Sequence, residues 1–147
     1  EKMVTLDGVE RTLTSKDLVI ANTREAMCIA GVFGGERSGV TESTTDVFLE
    51  IAYFNPVTIR KTSKRLGLKT DASFRYERGI DPMNTMNVAR RAAQLIVELS
   101  GAKIVGGPQE FCAREFKRAE VELDYGRMFS LMGKNIGVQT VKDILGY

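Results

Sequence analysis

The stretch DVFLEIAYFNPVTIRKTSKRLG, residues 46–67, decides the fold class of this 147-residue chain. Its first nine residues are almost continuously apolar, which is typical of a central strand covered on both faces. Asn55-Pro56 then supplies a helix cap and a first-turn proline, and Gly67 can end the helix in the left-handed conformation. A covered strand followed by a capped helix predicts a mixed α and β domain.

The residues before this stretch predict four short strands, arranged as two hairpins: 3–6, 9–13, 17–21 and 26–30. Asp7-Gly8 lies between the first two strands and tolerates the positive φ angles of a type I′ turn. Asn22-Thr23 is the predicted turn of the second hairpin. Antiparallel pairing is therefore expected to dominate the sheet.

The residues after the stretch predict one long helix and further strands. Asp81-Pro82 repeats the start signal of the first helix, and Gly101 is the predicted end. Strands are predicted at 102–105 and 111–116. Six residues at helical spacing predict a core-facing stripe on the long helix: Met86, Ala89, Ala92, Ala93, Ile96 and Leu99.

From Arg118 the pattern changes, with a strand-like alternation at 120–123 and helices predicted over 125–132 and 138–147. We therefore divide the chain into a domain at 1–117 and the start of a second small domain at 118–147. The predicted fold class is α+β, a layered sandwich of mostly antiparallel strands with two main helices. Because the chain begins at Glu1 without an initiator and stops just after a helical pattern, we expect it to be truncated at both ends.

Charge is concentrated in one segment, although the whole chain carries a net charge of only +2. Residues 60–78 contain two acids and seven basic residues: Arg60, Lys61, Lys64, Arg65, Lys69, Arg75 and Arg78. Such a patch suits contact with phosphates, and it equally suits a solvated helix face.

Residue types exclude several classes of site. The chain has no histidine, which excludes a Ser-His-Asp triad, a histidine base and most zinc sites within it. Cys28 and Cys112 lack CxxC spacing and lie in predicted strands, so we expect buried thiols in a reducing compartment. No segment resembles a signal peptide or a membrane span, so a cytoplasmic location without a membrane partner is expected.

Three polar or glycine-rich features are candidate binding elements. Residues 31–41 imitate a P-loop, but Val40 stands where the phosphate-binding lysine belongs, which leaves a bulged turn or another ligand loop. Glu50 shares one face of the predicted strand with Phe48, so its carboxylate either pairs with an arginine (Arg75 or Arg78) or accepts a hydrogen bond from a ligand. Thr70-Asp71-Ala72-Ser73 either caps a helix through Asp71 or Ser73, or presents hydroxyls to a ligand.

These segments together carry a resemblance. Residues 31–82, GVFGGERSGVTESTTDVFLEIAYFNPVTIRKTSKRLGLKTDASFRYERGIDP, resemble the editing-domain core of the bacterial phenylalanyl-tRNA synthetase beta chains. Residues 118–147 are similar to the start of the small domain that follows. The resemblance implies a heterotetramer of two alpha and two beta chains that binds tRNA(Phe). ATP and magnesium then serve aminoacylation on the alpha chain, while the beta chain hydrolyses tyrosine misattached to that tRNA.

Position by position, the resemblance implies an editing pocket at Gly34, Glu50, Thr70 and Ala72. The glutamate recognises the tyrosine phenol, and small Ala72 leaves room for its ring. Six basic residues are then possible tRNA contacts: Arg60, Lys61, Lys64, Arg65, Arg75 and Arg78.

The resemblance also implies an incomplete site, because the family's editing pocket includes a histidine and this chain has none. We expect the isolated chain to hydrolyse little. No catalytic residue is certain: only Glu50 or Asp71 suits a general base, and a water assisted by the terminal ribose of the tRNA is the preferred scheme. The alternative is a non-catalytic RNA-docking or subunit-contact module, in which Glu50 is locked against Arg75 or Arg78.

Overall fold

The computed structural model describes residues 1–113, 115–117 and 119–146. Contacts divide the chain into two compact units, Glu1–Phe111 and Cys112–Tyr147. The described residues form two small antiparallel sheets and five α-helices. The predicted mixed α+β class is therefore confirmed.

The first sheet is a two-stranded hairpin. Strands β1 (Lys2–Val4) and β2 (Glu10–Thr12) pair antiparallel. The backbone N–H of Gly8 donates to the Thr5 carbonyl at 2.8 Å, and Gly8 has a φ of 73°. The predicted type I′ turn is wrong, because it requires a positive φ at Asp7 as well, and only the glycine adopts one. Gly8 instead takes the one positive φ in a loop that spans residues 5–9 between the two strands.

The second sheet has the strand order β3-β4-β5. Its strands are β3 (Val19–Ala21), β4 (Ala26–Ile29) and β5 (Phe33–Gly34). The predicted turn is present, since the Asn22 side chain accepts from the N–H groups of Arg24 and Glu25, both at 2.8 Å. A hydrogen bond of 3.0 Å from the Leu6 N–H to the Gly34 carbonyl joins the two sheets.

Helix α1 (Pro56–Leu66) begins and ends as predicted. The Asn55 side chain accepts from the Val57 N–H at 2.9 Å, and Gly67 closes the helix with a φ of 67°. One face of α1 packs onto the sheets. The core of this unit consists of Met3, Leu13, Ile29, Val32, Ile59 and Leu68.

The polar segment after α1 is a short helix, α2 (Asp71–Tyr76). Its cap is Thr70 rather than Asp71. The Thr70 hydroxyl accepts from the Ser73 N–H, and the Ser73 hydroxyl accepts from the Thr70 N–H, both at 3.0 Å. This reciprocal capping box satisfies two backbone donors that would otherwise be unpaired.

Helix α3 (Thr85–Ser100) is confirmed, and a 3₁₀ turn at Pro82–Asn84 precedes it. Gly101 ends the helix with a φ of 69°. The prediction of a core-facing stripe is only partly met, since no residue of α3 is fully buried. The last two stripe residues, Ile96 and Leu99, are 38% and 84% exposed. The other four are half-buried: Met86, Ala89, Ala92 and Ala93.

Four predicted strands are wrong: 46–54, 102–105, 111–116 and 120–123. A strand needs a neighbour to bond its backbone groups, and no described strand pairs with these segments. Phe48 and Val105 are accordingly 94% and 93% exposed. Arg114, within the third segment, lies outside the described residues.

The second unit contains α4 (Tyr125–Met132) and α5 (Val138–Leu145), which confirms both predicted helices. Asp124 caps α4 by accepting from the Arg127 N–H at 2.9 Å. Val141 of α5 is buried. Two predicted boundaries lie outside the described residues: the end of the second helix at Tyr147 and the start of the second domain at Arg118.

Candidate functional site

The glycine-rich segment is tightly packed. A Cβ on Gly34 would lie 2.7 Å from Cδ1 of Leu6, and one on Gly35 would lie 2.2 Å from the Met27 carbonyl oxygen. The segment forms β5 and a 3₁₀ turn at Glu36–Ser38. Close packing against the backbone explains Gly35, whereas the atom nearest to Gly34 is the end of the flexible Leu6 side chain. The segment ends in a 3₁₀ turn with no described strand after it, so it is not the bulged turn between strands that was one of the two alternatives.

Glu50 lies in an extended segment outside any strand and is exposed. Partial burial nevertheless raises the pKa of its carboxyl group. Of the two alternatives for Glu50, the ion pair with an arginine is absent from the described residues: Arg78 binds Oε1 of Glu77 at 3.0 Å, and Arg75 forms no ion pair there. Within the described part of the chain, Glu50 has neither a hydrogen bond nor an ion pair.

The Glu50 carboxylate lies close enough to Cys28 and Tyr76 for its charge to act on both. Burial raises the pKa of the Cys28 thiol and of the Tyr76 phenol, and the negative charge of Glu50 raises both further. Cys28 is half-buried in β4, whereas Cys112 is exposed. The predicted burial of both thiols is therefore wrong for Cys112, where the predicted strand is absent.

Tyr76 holds the segment that carries Glu50. Its ring lies 5.1 Å from the Phe54 ring, and its hydroxyl bonds to the backbone of Ala52. Gly31, with a φ of 62°, allows this close approach. A Cβ there would lie 2.9 Å from Cδ2 of Phe54 and 3.1 Å from Cγ of Tyr76.

Thr70 and Ala72 join the same neighbourhood through α2. The Thr70 hydroxyl donates to the Val32 carbonyl at 2.6 Å, two residues before Gly34. Ala72 is half-buried and lies one helical turn before Tyr76.

The four candidate pocket residues are thus linked through their neighbours. Cys28 pairs with Gly34 across the β4–β5 ladder and lies beside Glu50. A hollow of about 530 Å³ between α1 and α2 is lined by Thr70, while Gly34, Glu50 and Ala72 lie outside its lining.

The six candidate tRNA-contacting cations divide into two groups. Three are engaged: Arg65 pairs with Asp17, Arg60 donates to the Glu77 carbonyl at 2.7 Å, and Arg78 bonds to Glu77. The other three have no side-chain hydrogen bond or ion pair among the described residues: Lys61, Lys64 and Arg75. The first group agrees with the interpretation as a solvated helix face. The charges of the second group are not paired with any described residue.

Sequence reasoning missed one feature of α2. The Arg78 guanidinium lies over the Phe74 ring, 3.6 Å from its centroid, and the Phe74 residue is 58% exposed. The sequence signal for this stack was the four-residue spacing of Phe74 and Arg78, which places an aromatic ring and a cation on the same side of a helical turn. The proximity of Cys28 to Glu50 had no comparable local signal.

The described residues offer neither a metal-binding cluster nor a membrane-spanning helix. No three His, Cys, Asp or Glu side chains there are placed to hold a metal ion. Among the helices of that same portion, none combines the length and apolar character needed to cross a membrane.

The sequence of the first compact unit matches a known class of domain. Residues 1–101 match the family model of the B3/4 domain. Because that match spans more than half of the sequence, the chain belongs to the B3/4 domain family.

Curated relatives share one description, "Phenylalanine–tRNA ligase beta subunit". The protein from Bacteroides fragilis is 55% identical over 142 residues, which covers 97% of this chain and 17% of that protein. Those from Porphyromonas gingivalis and Halalkalibacterium halodurans are 50% and 45% identical, over 97% and 100% of this chain. The chain thus spans less than a fifth of the length of these relatives, and the family resemblance inferred from the sequence is confirmed.

Proposed function

We propose that this chain is part of a phenylalanine–tRNA ligase beta subunit and contributes to a site that hydrolyses tyrosine mischarged on tRNA(Phe). The observation that carries the proposal is the Glu50 carboxylate. It is partly desolvated, has no partner among the described residues, and lies next to Cys28, which pairs with Gly34. An acceptor in this state can take a hydrogen bond from a ligand.

The selectivity follows from hydrogen bonding. The tyrosine phenol donates to the Glu50 carboxylate, whereas phenylalanine occupies the same space and leaves that acceptor unpaired. Leaving a desolvated charged group unpaired costs free energy. Sites built to bond a hydroxyl can therefore reject an analogue that lacks it. Correctly charged tRNA is spared for this reason.

The hydrolytic step uses a positioned water molecule, assisted by a hydroxyl of the terminal ribose of the tRNA. Among the candidate residues, only Glu50 and Asp71 carry a carboxylate suited to a base, and Glu50 is already assigned to recognition. Thr70 and Ala72 shape the pocket. Groups from the rest of the longer protein complete the site, so the isolated chain should hydrolyse little.

The partners follow from the same proposal. The beta subunit assembles with an alpha subunit into a cytoplasmic heterotetramer of two copies of each, and the alpha chain uses ATP and magnesium. Contact with tRNA(Phe) falls first to the three cations without partners: Lys61, Lys64 and Arg75. Charge reversal at Lys61 and Lys64 should weaken tRNA binding and reduce its dependence on salt. Unchanged affinity and salt dependence would remove these residues from the tRNA interface.

A second candidate function is a non-catalytic RNA-docking or subunit-contact module. The observation in its favour is the exposure of large apolar side chains, with Phe48 94% and Leu99 84% exposed. Apolar surfaces of this kind often mark protein interfaces.

The experiment that separates the two functions places a large side chain in the proposed pocket. In the assembled ligase, Ala72→Trp should abolish release of tyrosine from mischarged tRNA(Phe) while phenylalanine charging continues. The matched control is Ala102→Trp, at an exposed alanine outside the site, which should keep both activities. Persistent tyrosine release with Ala72→Trp would favour the module.

A further inference from the structure

The hollow between α1 and α2 has a composition that the editing pocket does not explain. It measures about 530 Å³, within the usual range of small-ligand sites. Its charged and aromatic lining residues are Lys64, Lys69, Asp71, Phe74, Glu77 and Arg78. Of the four editing candidates it shares only Thr70, whose hydroxyl is already bonded to the Val32 carbonyl.

One wall of this hollow is a flat aromatic platform. Arg78 is fixed over Phe74 by two hydrogen bonds, to the Phe74 carbonyl at 2.7 Å and to Oε1 of Glu77 at 3.0 Å. Because the guanidinium is held in place before any ligand arrives, little further entropy is lost on stacking. Exposed aromatic rings and guanidinium planes are the surfaces on which unpaired RNA bases stack.

The charges beside the platform favour an anionic ligand. Lys64 and Lys69 line the hollow, are exposed, and have no hydrogen bond or ion pair among the described residues. Glu77 is neutralised by Arg78, so Asp71 is the one acid of the lining without such a partner there. Two unpaired ammonium groups then face one unpaired carboxylate, next to a stacking surface.

We propose that the α1–α2 hollow binds a single-stranded RNA segment, with one base stacked on the Phe74–Arg78 pair and adjacent phosphates on Lys64 and Lys69. Stacking and phosphate contact together select single-stranded nucleic acid, since the bases of a duplex are not available to the ring. The identity of the RNA as the 3′ end of tRNA(Phe) rests on the proposed function. The proposed stacking of a base does not depend on that function.

The test uses the assembled ligase and tRNA(Phe) carrying fluorescent 2-aminopurine at each single-stranded 3′ position in turn. Binding should quench the fluorescence of at least one position. Phe74→Ala should abolish that quenching and weaken tRNA binding about 5- to 150-fold, the range for one stacked base. Phe74→Tyr keeps the aromatic ring and should therefore keep both the quenching and the tRNA affinity.

A matched pair of charge variants tests the phosphate contact. Lys64→Gln and Lys16→Gln remove the same charge from exposed positions, but only Lys64 lines the hollow, and Lys16 is not among the candidate tRNA contacts. Lys64→Gln should reduce the quenching at the stacked position and lower the salt dependence of binding by about one phosphate contact. Lys16→Gln should leave both unchanged.

The outcomes distinguish this inference from the proposed function. If Phe74→Ala keeps affinity and quenching while tyrosine release continues, the hollow is not an RNA site and the proposed function survives. If quenching depends on Phe74 but no form of the ligase releases tyrosine, the inference stands and the proposed function fails. If Phe74→Ala dissociates the assembled ligase, or no position is quenched in the unaltered enzyme, the inference is overturned.

Discussion

Helices α1 and α3 carry the same start and stop signals but differ in burial. Asn55-Pro56 begins α1, and Asp81-Pro82 begins the 3₁₀ turn that leads into α3. Each helix ends at a left-handed glycine, with φ angles of 67° at Gly67 and 69° at Gly101. Helix α1 buries Ile59, Thr62 and Ser63, whereas α3 buries no residue. Helix boundaries are thus set by neighbouring residues, and burial is set by distant ones.

The largest expected difference between the helices is the cost of truncating an apolar side chain. Ile59 is 1% exposed and belongs to the core, so Ile59→Ala should lower the free energy of unfolding by about 3 kcal/mol. Leu99→Ala, at a position 84% exposed, should change it by less than about 0.5 kcal/mol. Urea unfolding of the chain measures both. Equal losses would mean that α3 is covered after all.

The next-largest effect concerns the polar contacts between Asp17 and helix α1. The Asp17 side chain is 2% exposed, accepts from the Thr62 hydroxyl at 2.7 Å, and pairs with Arg65. Asp17→Asn should lower the free energy of unfolding by about 2 kcal/mol. Glu10→Gln is the control, because its pair with Lys2 is exposed and should leave the unfolding midpoint unchanged.

The pH dependence of Asp17 has a definite sign. Burial alone would raise its pKa, but hydrogen bonds from Thr14 and Thr62 and the charge of Arg65 lower it below the ordinary 3.8. Its stabilisation is therefore present above pH 3.8 and is lost as the pH falls through the lower folded value. The acid-induced loss of stability should be smaller in Asp17→Asn. An identical acid profile for both proteins would contradict the assignment.

The smallest effect is electrostatic and tests whether Glu50 lies beside the sheet. Since the Glu50 charge raises the pKa of the Cys28 thiol, Glu50→Gln should lower that pKa. The rate of iodoacetamide modification against pH, measured in a Cys112→Ser background, reports the change. Glu98→Gln removes the same charge from the unburied helix α3 and should have no effect. A shift with Glu98→Gln alone would contradict the described neighbourhood.

The parts of the fold that the sequence predicts are those with local causes. Asn55, Gly67 and Gly101 define helix ends because caps depend on backbone groups within a few residues. The strand predicted at 46–54 failed because a strand requires a distant neighbour, which an apolar run cannot specify. The 3₁₀ turn before α3 was not predicted. The cap of α2 was assigned to Asp71 or Ser73, whereas the structure assigns it to Thr70.

The candidate site was less predictable than the helices. Its four residues came from the family resemblance, and spacing alone left Glu50 as either an ion-pair partner or a ligand acceptor. The approach of Cys28, Glu50 and Tyr76 joins three distant parts of the chain and leaves no periodic pattern in the sequence. The Phe74–Arg78 stack, in contrast, is local and could have been predicted from its spacing.

The measurement that tests the central claim most directly is the ratio of deacylation rates for tyrosyl- and phenylalanyl-tRNA(Phe), with and without Glu50→Ala in the assembled ligase. Glu42→Ala, at an exposed position in the turn that precedes this segment, is the control. If Glu50 accepts the phenol, its loss should lower the ratio about 10- to 100-fold by slowing the tyrosine reaction, and the control should not. An unchanged ratio with Glu50→Ala would contradict the assignment of Glu50 as the tyrosine-recognising residue.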